Sequence, residues 1–351
     1  MKEGAFMDNA TLARAIEQKA LELGYEACGI IPVAEMAGFA DRVAERLEKA
    51  PTYAQNSDFF YRMATPQGKY PWAKAVVVCI QPYNQYDIPS HLLGLIGRAY
   101  LTDCRADTAS PGHQASVALV DFMEENGLQT AYNRKFPLTA VRWAAQQAGV
   151  GGFRRNNFIY TEKSGSWLVM EVFLIDRALE LKHELQQKPC PEGCDLCVKA
   201  CPTQSLSAPY LMDRVGCVSH ITTWGDCDYP NADYSEKLGG WMFGCDVCQD
   251  VCPQNRGKWK GGKAFPGLDA LGEAVSLEQV VLMDYDTLRT LLQPKLWYIE
   301  PDEVWKYKAT ALNAMKNTWQ PCYAAAVEAA CNDEVEQVRR VAGWVKAATA
   351  R

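Results

Sequence analysis

The sequence that decides the fold is a pair of cysteine runs, CPEGCDLCVKACP at residues 190–202 and CDVCQDVCP at residues 245–253. Each run ends in a cysteine followed directly by proline. In bacterial ferredoxins such a run places three thiolates around one cluster, and the cysteine before the proline ligates a second cluster. A structural zinc site instead brings two separated Cys-x2-Cys pairs to one ion. The spacing therefore predicts two [4Fe-4S] clusters, with zinc and disulfides as the alternatives.

The ferredoxin pattern also predicts how the thiolates divide between the clusters. One cluster takes Cys190, Cys194, Cys197 and Cys252. The other takes Cys201, Cys245, Cys248 and one remote cysteine, for which Cys217 and Cys227 compete. Exchanged fourth ligands would hold the two clusters side by side, within reach of single-electron transfer.

The composition is that of a globular protein, with 48% hydrophobic and 22% charged residues among 351. The net charge of -6 argues against a broadly basic surface that coats nucleic acid. No stretch approaches the roughly 20 apolar residues that cross a bilayer, and the first 30 residues lack the pattern of a signal peptide. We therefore expect a cytoplasmic protein without a membrane partner. In that reducing compartment, clustered cysteines indicate metal or redox chemistry.

Apolar periodicity and composition predict three domains. Strands and helices alternate in an α/β domain over residues 1–185, a ferredoxin-like double-cluster domain covers 186–263, and a small all-α, HEAT-like repeat tail covers 264–351. The predicted strands are 27–32, 75–80 and 166–175, and the predicted helices are 9–23, 112–126, 137–148, 288–292, 304–312, 324–330 and 335–347. The cluster segment has no long apolar run, so bound metal is expected to hold it together.

The cysteines outside the cluster segment have a simpler interpretation. Cys28 and Cys79 lie in strand patterns and Cys322 and Cys331 in helical ones, so we expect them to be small buried hydrophobes. Cys104 remains undecided.

One family shares these motifs. GCDVCQDVCPQN at residues 244–255 resembles GCDxCQxxCPxN of the epoxyqueuosine reductases, cobalamin-dependent enzymes with two [4Fe-4S] clusters. GCVSH at 216–220 resembles their RCISY segment, which favours Cys217 as the remote ligand. AGVGGFRRN at 148–156 and GSW at 165–167 resemble two further motifs, and VRRVAGW at 338–344 resembles the helical-repeat tail.

The resemblance implies a base-off corrinoid between the α/β and cluster domains, reduced by electrons from the clusters. The residues that it implies for the corrinoid site are Arg62, Tyr100, Arg134, Gly151, Arg155 and Asn156. It also implies a low-potential electron donor such as a ferredoxin or flavodoxin, and a small-molecule or modified-nucleoside substrate. tRNA is a further implied partner, for which the basic, aromatic loop RGKWKGGK at 256–263 is the one supporting feature in the sequence.

The chain departs from the family where the catalytic acid is expected. The family's aspartate, in a V-D-x-x-P context, corresponds to Arg134 in NRKFP at 133–137, and the G-R-D-Y-H stretch corresponds to GRAYLTDC at 97–104. An arginine stays protonated and cannot act as the general acid, although it can clamp an anion. The first cysteine run also opens with a longer spacing, and Cys227 is additional.

These departures favour a reductase paralogue with a different substrate. One alternative is a non-catalytic, ferredoxin-like electron carrier or reactivator of a corrinoid protein. The other is a protein whose clusters are purely structural.

Overall fold

The computed structural model describes residues 7–50, 54, 57–105, 107–186 and 188–350, which group into two compact units. The first unit comprises the chain up to residue 84 together with 108–194 and 253–260. The second comprises 85–107, 195–252 and 261–351. The division of the sequence into three domains at 185 and 263 stays a prediction.

Both units combine helices with shorter strands. The helices are α1 Asn9–Glu22, α2 Gly38–Lys49, α3 Ser57–Ala64, α4 Arg98–Leu101, α5 Pro111–Glu125, α6 Val141–Gln147, α7 Leu196–Ala200, α8 Val218–Thr223, α9 Val247–Asp250, α10 Leu268–Ala274, α11 Leu277–Leu282, α12 Tyr285–Thr287, α13 Trp305–Asn317, α14 Ala324–Ala330 and α15 Glu336–Thr349. The strands are β1 Ala27–Pro32, β2 Ala75–Pro82, β3 Thr130–Ala131, β4 Gly152–Phe153, β5 Ile159–Tyr160, β6 Leu168–Ile175, β7 Leu206–Ala208 and β8 Leu211–Met212. Leu288–Leu292 forms a π-helical turn.

The first unit is built on a four-stranded sheet in the order β1-β2-β6-β3, with every neighbouring pair antiparallel. The alternation of helices and strands along the chain predicted the α/β composition but contained no information on strand direction. Register places Cys28 opposite Cys79, and Cys79 opposite Glu171.

The continuous apolar run of β2 is explained by burial on both faces of the sheet. Val77 and Cys79 pack against α1 and α5 on one face, whereas Val76 and Val78 pack against α6 on the other. Adjacent residues of a strand point to opposite faces, so a strand covered on both sides has no polar positions. Cys28 and Cys79 are buried in the first of these cores, as expected from their strand patterns.

Local signals set the helix ends of the first unit. The Asp8 carboxylate accepts a hydrogen bond from the Thr11 N–H at 2.7 Å and so caps α1, and Gly24, with φ +94°, follows its last turn. Ser110 caps α5 and Pro111 begins it. By contrast, no side-chain hydrogen bond caps the start of α2, and neither α2 nor α3 was predicted from the sequence.

The second unit ends in an all-helical region, as predicted. Helices α11, α13, α14 and α15 pack on one another, and α13 is buried along almost its whole length. Whether this region is a HEAT-like repeat stays a prediction. Cys331 is half-buried, and the expectation that Cys322 is buried was wrong, because its thiol is exposed beside Glu278.

No helix among the described ranges is both long enough and apolar enough to span a bilayer.

A buried ion pair stabilises the helical region and makes its stability depend on pH. Burial raises the pKa of Asp333, but hydrogen bonds from Tyr285 and from Lys308, at 2.9 Å, outweigh burial and hold the pKa below its ordinary value of 3.8. The folded pKa lies below the unfolded one, so this stabilisation is present above about pH 4 and lost as the pH falls. We expect Asp333→Asn to lower the free energy of unfolding at pH 7 by about 1–3 kcal/mol.

Urea unfolding of both proteins at pH 7 and at about pH 3.5 measures this effect. The difference between wild type and variant should shrink at the lower pH. A difference that grew on acidification would contradict the assigned role of Asp333.

Candidate iron–sulfur site

Four cysteines of the second unit lie together around short helices. Cys201 ends α7, Cys217 directly precedes α8, and Cys245 and Cys248 flank the start of α9. Their thiols are close enough to interact electrostatically: Cys201 and Cys217 both act on Cys245 and on Cys248. Among the described residues, no three or more His, Cys, Asp or Glu side chains are grouped closely enough to hold a metal ion, so the assignment of these four cysteines to one cluster stays a prediction.

These thiols occupy an environment that opposes ionisation. Burial raises the pKa of Cys217, Cys245 and Cys248, and the neighbouring cysteines raise it further. Iron binds thiolates, so a bound cation must supply the compensating positive charge. Backbone N–H groups contribute as well: Leu206 N–H donates to the Cys201 sulfur at 3.5 Å. A partly buried set of thiols with N–H donors is compatible with the donor chemistry of an iron–sulfur cluster.

The other four predicted ligands are placed as follows. Cys197 is buried in α7, in one apolar cluster with Cys201 and Leu206, and its thiol acts on Cys248. Cys252 follows α9 in the second unit. Cys190 and Cys194 belong to the first unit.

Cys227, the competing candidate, lies elsewhere in the second unit. Its sulfur accepts a hydrogen bond from Thr310 Oγ1 of α13 at 3.5 Å and donates to the Ile221 carbonyl at 3.7 Å. Burial raises the pKa of its thiol to about 11. Cys227 therefore has hydrogen-bond partners of its own. One of them, Thr310, lies on α13, which carries none of the predicted ligands.

Two glycines allow close packing beside Cys245. Gly244 has φ +74°, and a Cβ there would come within 2.3 Å of the Tyr100 ring. A Cβ on Gly97 would lie 3.1 Å from the Cys245 nitrogen. The Tyr100 hydroxyl shares a 2.6 Å hydrogen bond with Ser219, two residues after Cys217. Tyr100 is thus a half-buried packing residue of the cysteine loops, and desolvation raises its pKa.

An ion pair anchors the second cysteine run to α4. The Asp246 carboxylate accepts hydrogen bonds from the Arg98 backbone N–H at 2.8 Å and from its guanidinium at 3.0 Å. Burial raises the pKa of Asp246 to about 6, and Arg98 opposes that rise. Asp250 pairs with the same guanidinium at 2.7 Å but is half exposed. The aspartate of the GCD motif therefore has a structural partner.

The loop at 148–156 is held by its own polar groups. Arg155 donates to the Cys194 carbonyl at 2.6 Å, and Asn156 donates to the Tyr160 hydroxyl at 2.9 Å. A Cβ on Gly151 would lie 2.4 Å from the Ile159 side chain. Three of the residues that the sequence assigned to a corrinoid therefore have roles within the first unit.

A hydrogen-bonded contact, which the sequence analysis missed, joins the GSW motif to the second cysteine motif. Asn255, the last residue of the second cysteine motif, accepts from Ser166 N–H at 2.9 Å and donates to Ser166 Oγ at 2.8 Å. Gly165, with φ +60°, leaves the room that this contact requires. The GSW and CPxN motifs are thus two halves of one hydrogen-bonded junction.

The basic loop at 256–263 is used for packing. The Trp259 ring contacts Trp167 and Tyr83 at centroid distances of 5.4 and 6.0 Å. Lys258 bonds to the Glu162 carbonyl and Lys263 to Gln85. These contacts give the aromatic residue and two of the basic residues structural partners, and they provide no support for a base-stacking platform.

Arg134, the residue that the sequence analysis matched to the acid of the reductases, lies beside an imidazole. Arg134 is half-buried and its guanidinium contacts the ring of His113. Arg62, on α3, is exposed and has no side-chain hydrogen-bond partner among the described residues.

Comparison with known proteins identifies the class. Residues 190–255 match the 4Fe-4S double cluster binding domain. The chain is 29% identical over 248 residues to an epoxyqueuosine reductase of Cellulophaga algicola, covering 69% of this chain and 78% of that one, and 27% identical over 250 residues to one of Cyclobacterium marinum, with the same coverage. The crystal structure of epoxyqueuosine reductase with an epoxyqueuosine-modified tRNA-Tyr stem loop is similar in fold, with a TM-score of 0.78 at 19% identity over 97% of this chain and 91% of that one.

The fold and the cysteine site thus define an iron–sulfur protein with a double-cluster domain. Over about two thirds of its length the chain is similar in sequence to curated epoxyqueuosine reductases, which are oxidoreductases.

Proposed function

We propose that this chain is an iron–sulfur reductase that passes electrons through two [4Fe-4S] clusters to a bound corrinoid, which drives a reductive reaction. The proposed ligands of the first cluster are Cys190, Cys194, Cys197 and Cys252, and those of the second are Cys201, Cys217, Cys245 and Cys248. The observation that supports the proposal is that the thiols of the second set, which are partly buried, raise one another's pKa.

The chain's own residues fit the clusters well. The second set combines burial, four thiols and backbone donors, and tightly packed glycines bring the loops of the second unit together around Cys245. Because Cys227 is engaged with Thr310, we assign the remote ligand to Cys217.

Fewer residues of this chain are proposed to contact a corrinoid than to bind the clusters. Gly151, Arg155 and Asn156 fix the shape of the 148–156 loop, and the hydroxyl of the half-buried Tyr100 is hydrogen-bonded to Ser219. We propose that these four residues support the cofactor site by holding backbone in place, and that Arg62 contacts the corrinoid directly. The corrinoid, when bound, supplies a cobalt centre that can be strongly reduced.

The proposed substrate differs from epoxyqueuosine. An acid in the family's position would protonate the leaving oxygen, and Arg134 retains its own proton at any working pH. We therefore propose a paralogue that reduces another small molecule or modified nucleoside, with electrons from a ferredoxin or flavodoxin. One relative was crystallised with a modified tRNA stem loop. An RNA stem loop is therefore the first substrate to test.

Two measurements test this function. Anaerobically purified protein titrated with cob(II)alamin should bind it with the electron paramagnetic resonance signature of a base-off corrinoid. With an epoxyqueuosine-containing stem loop and a chemical reductant, wild-type protein should give no product, and Arg134→Asp should gain turnover while Lys135→Asp, the matched control, should not. Lack of cobalamin binding would contradict the corrinoid, and wild-type turnover would contradict the paralogue.

A further inference from the structure

Two cysteines face each other across neighbouring strands of the first unit, outside the candidate cluster ligands. Register places Cys28 of β1 opposite Cys79 of β2. Directly opposite residues of an antiparallel pair project from the same face of the sheet, and both side chains lie in the core that α1 and α5 cover. Cys28 is 1% exposed and Cys79 is 0% exposed. The two thiols are hydrogen-bonded to each other, so their sulfur atoms are in contact inside the sheet.

The backbone hydrogen bonds of β1 show which kind of cross-strand pair these cysteines form. Ile30 N–H donates to the Leu181 carbonyl and Leu181 N–H donates to the Ile30 carbonyl, both at 2.8 Å, so the backbone polar groups of Ile30 point away from β2. Residues two apart on a strand point their backbone groups the same way. The Cys28 carbonyl accordingly accepts from His183 Nε2 at 2.9 Å. Cys28 and Cys79 are therefore a non-hydrogen-bonded pair, the kind in which opposite side chains lie closest.

The spacing and the contact of this pair suit a disulfide. Opposite α-carbons of a non-hydrogen-bonded pair are about 4.5 Å apart, and disulfides join α-carbons that are about 4.4–6.8 Å apart. Burial raises the pKa of Cys79, and the Cys28 thiol and the Glu171 carboxylate raise it further. Because the thiolate is the nucleophile, oxidation begins more slowly here than at an exposed cysteine. Once one sulfur is oxidised, however, the second thiol is already in contact with it.

We propose that Cys28 and Cys79 are a site of reversible disulfide formation with a peroxide as the oxidant. The sulfur of one thiol attacks hydrogen peroxide, so that an S–O bond forms, the O–O bond breaks and one water molecule leaves. The opposite thiol then attacks this sulfenic acid, the S–S bond forms, and the hydroxyl leaves with the second thiol proton as another water molecule. The pair loses two electrons, the peroxide gains them, and a dithiol reductant reverses the change. This site does not depend on the proposed clusters.

Peptide mass spectrometry of the anaerobically purified full-length chain, before and after exposure to hydrogen peroxide, tests the site. Trypsin leaves Cys28 in peptide 20–42 and Cys79 in peptide 75–98, each without another cysteine. Free thiols are alkylated before digestion, so that pairs cannot exchange. The disulfide-linked form of these two peptides should increase about tenfold or more with peroxide, and dithiothreitol should remove it. Absence of the linked form after peroxide, or a linked form that dithiothreitol leaves intact, would overturn the proposal.

Cys104 is the matched control in the same sample. It is also buried, at 5% exposed, but it lies outside the sheet. Trypsin leaves it as the single cysteine of peptide 99–105. Cys104 should remain a thiol while the link between Cys28 and Cys79 accumulates, because the folded sheet brings only the latter two together. Equal oxidation of Cys104, or similar amounts of links from Cys28 and Cys79 to other cysteines, would show that the bond forms in unfolded chains and would overturn the proposal.

Discussion

Replacing Cys248 with alanine is expected to reduce the iron content from about eight to about four atoms per chain, because one of two cubanes loses a ligand in its buried centre. Cys248 is the residue on which four other cysteines act: Cys245, Cys217, Cys197 and Cys201. Electron delivery should fall to background, since the proposed route passes through both clusters. Iron and sulfide assays on anaerobically purified variant protein, with stopped-flow reduction by dithionite, measure both effects.

The matched control for that variant is Cys227→Ala. Cys227 is also a buried cysteine of the cluster segment, yet its sulfur bonds to Thr310 and Ile221. We expect this variant to keep its full iron content and to lose only packing energy, about 1–2 kcal/mol. If Cys227→Ala lost half of its iron and Cys217→Ala did not, the assignment of the remote ligand would be wrong.

The second large effect is expected from Asp103→Ala, which should destabilise the second unit by about 3–5 kcal/mol. Asp103 is buried and receives two hydrogen bonds from the Arg105 guanidinium, at 2.9 and 2.7 Å, and one from Trp297 Nε1 at 3.1 Å. Although burial opposes the charged form, Asp103 and Tyr298 hold the pKa of Arg105 above its ordinary value. Removing the carboxylate leaves a half-buried guanidinium without its counterion.

Denaturant unfolding followed by tryptophan fluorescence measures that loss. Asp250→Ala is the control, because it also removes a carboxylate from an arginine, in this case Arg98, but at a half-exposed position. Its cost should be below about 1 kcal/mol. Equal effects of the two substitutions would show that burial of the Asp103 pair contributes nothing.

The sequence predicted those features that depend on local spacing. Strand β1 was predicted to the residue from the short apolar run between Ala27 and Pro32. Helix α5 was predicted within one residue at each end, since Pro111 begins it and Gly127, with φ +79°, follows its end. The double-cluster segment at residues 190–255 followed from ligand spacing, in which each offset has a chemical reason.

Features that depend on contacts distant in sequence were not predictable. The antiparallel direction of the sheet is set by connections of tens of residues, which leave no periodic signal. The Asn255–Ser166 junction joins residues 89 positions apart. Helix α6 begins at Val141, four residues later than predicted, and the preceding Thr139 hydroxyl and Ala140 N–H donate to the Met63 carbonyl on a different segment. The contact between Arg134 and His113 arises in the same way.

The central claim is that eight cysteines hold two cubane clusters, and Mössbauer spectroscopy of anaerobically prepared, iron-57-enriched wild-type protein tests it most directly. The account predicts about eight irons per chain, all in the quadrupole doublets of [4Fe-4S] centres, with no stoichiometric zinc. A preparation with zinc in their place, or with fewer than about half of these irons in cubane centres, would contradict it.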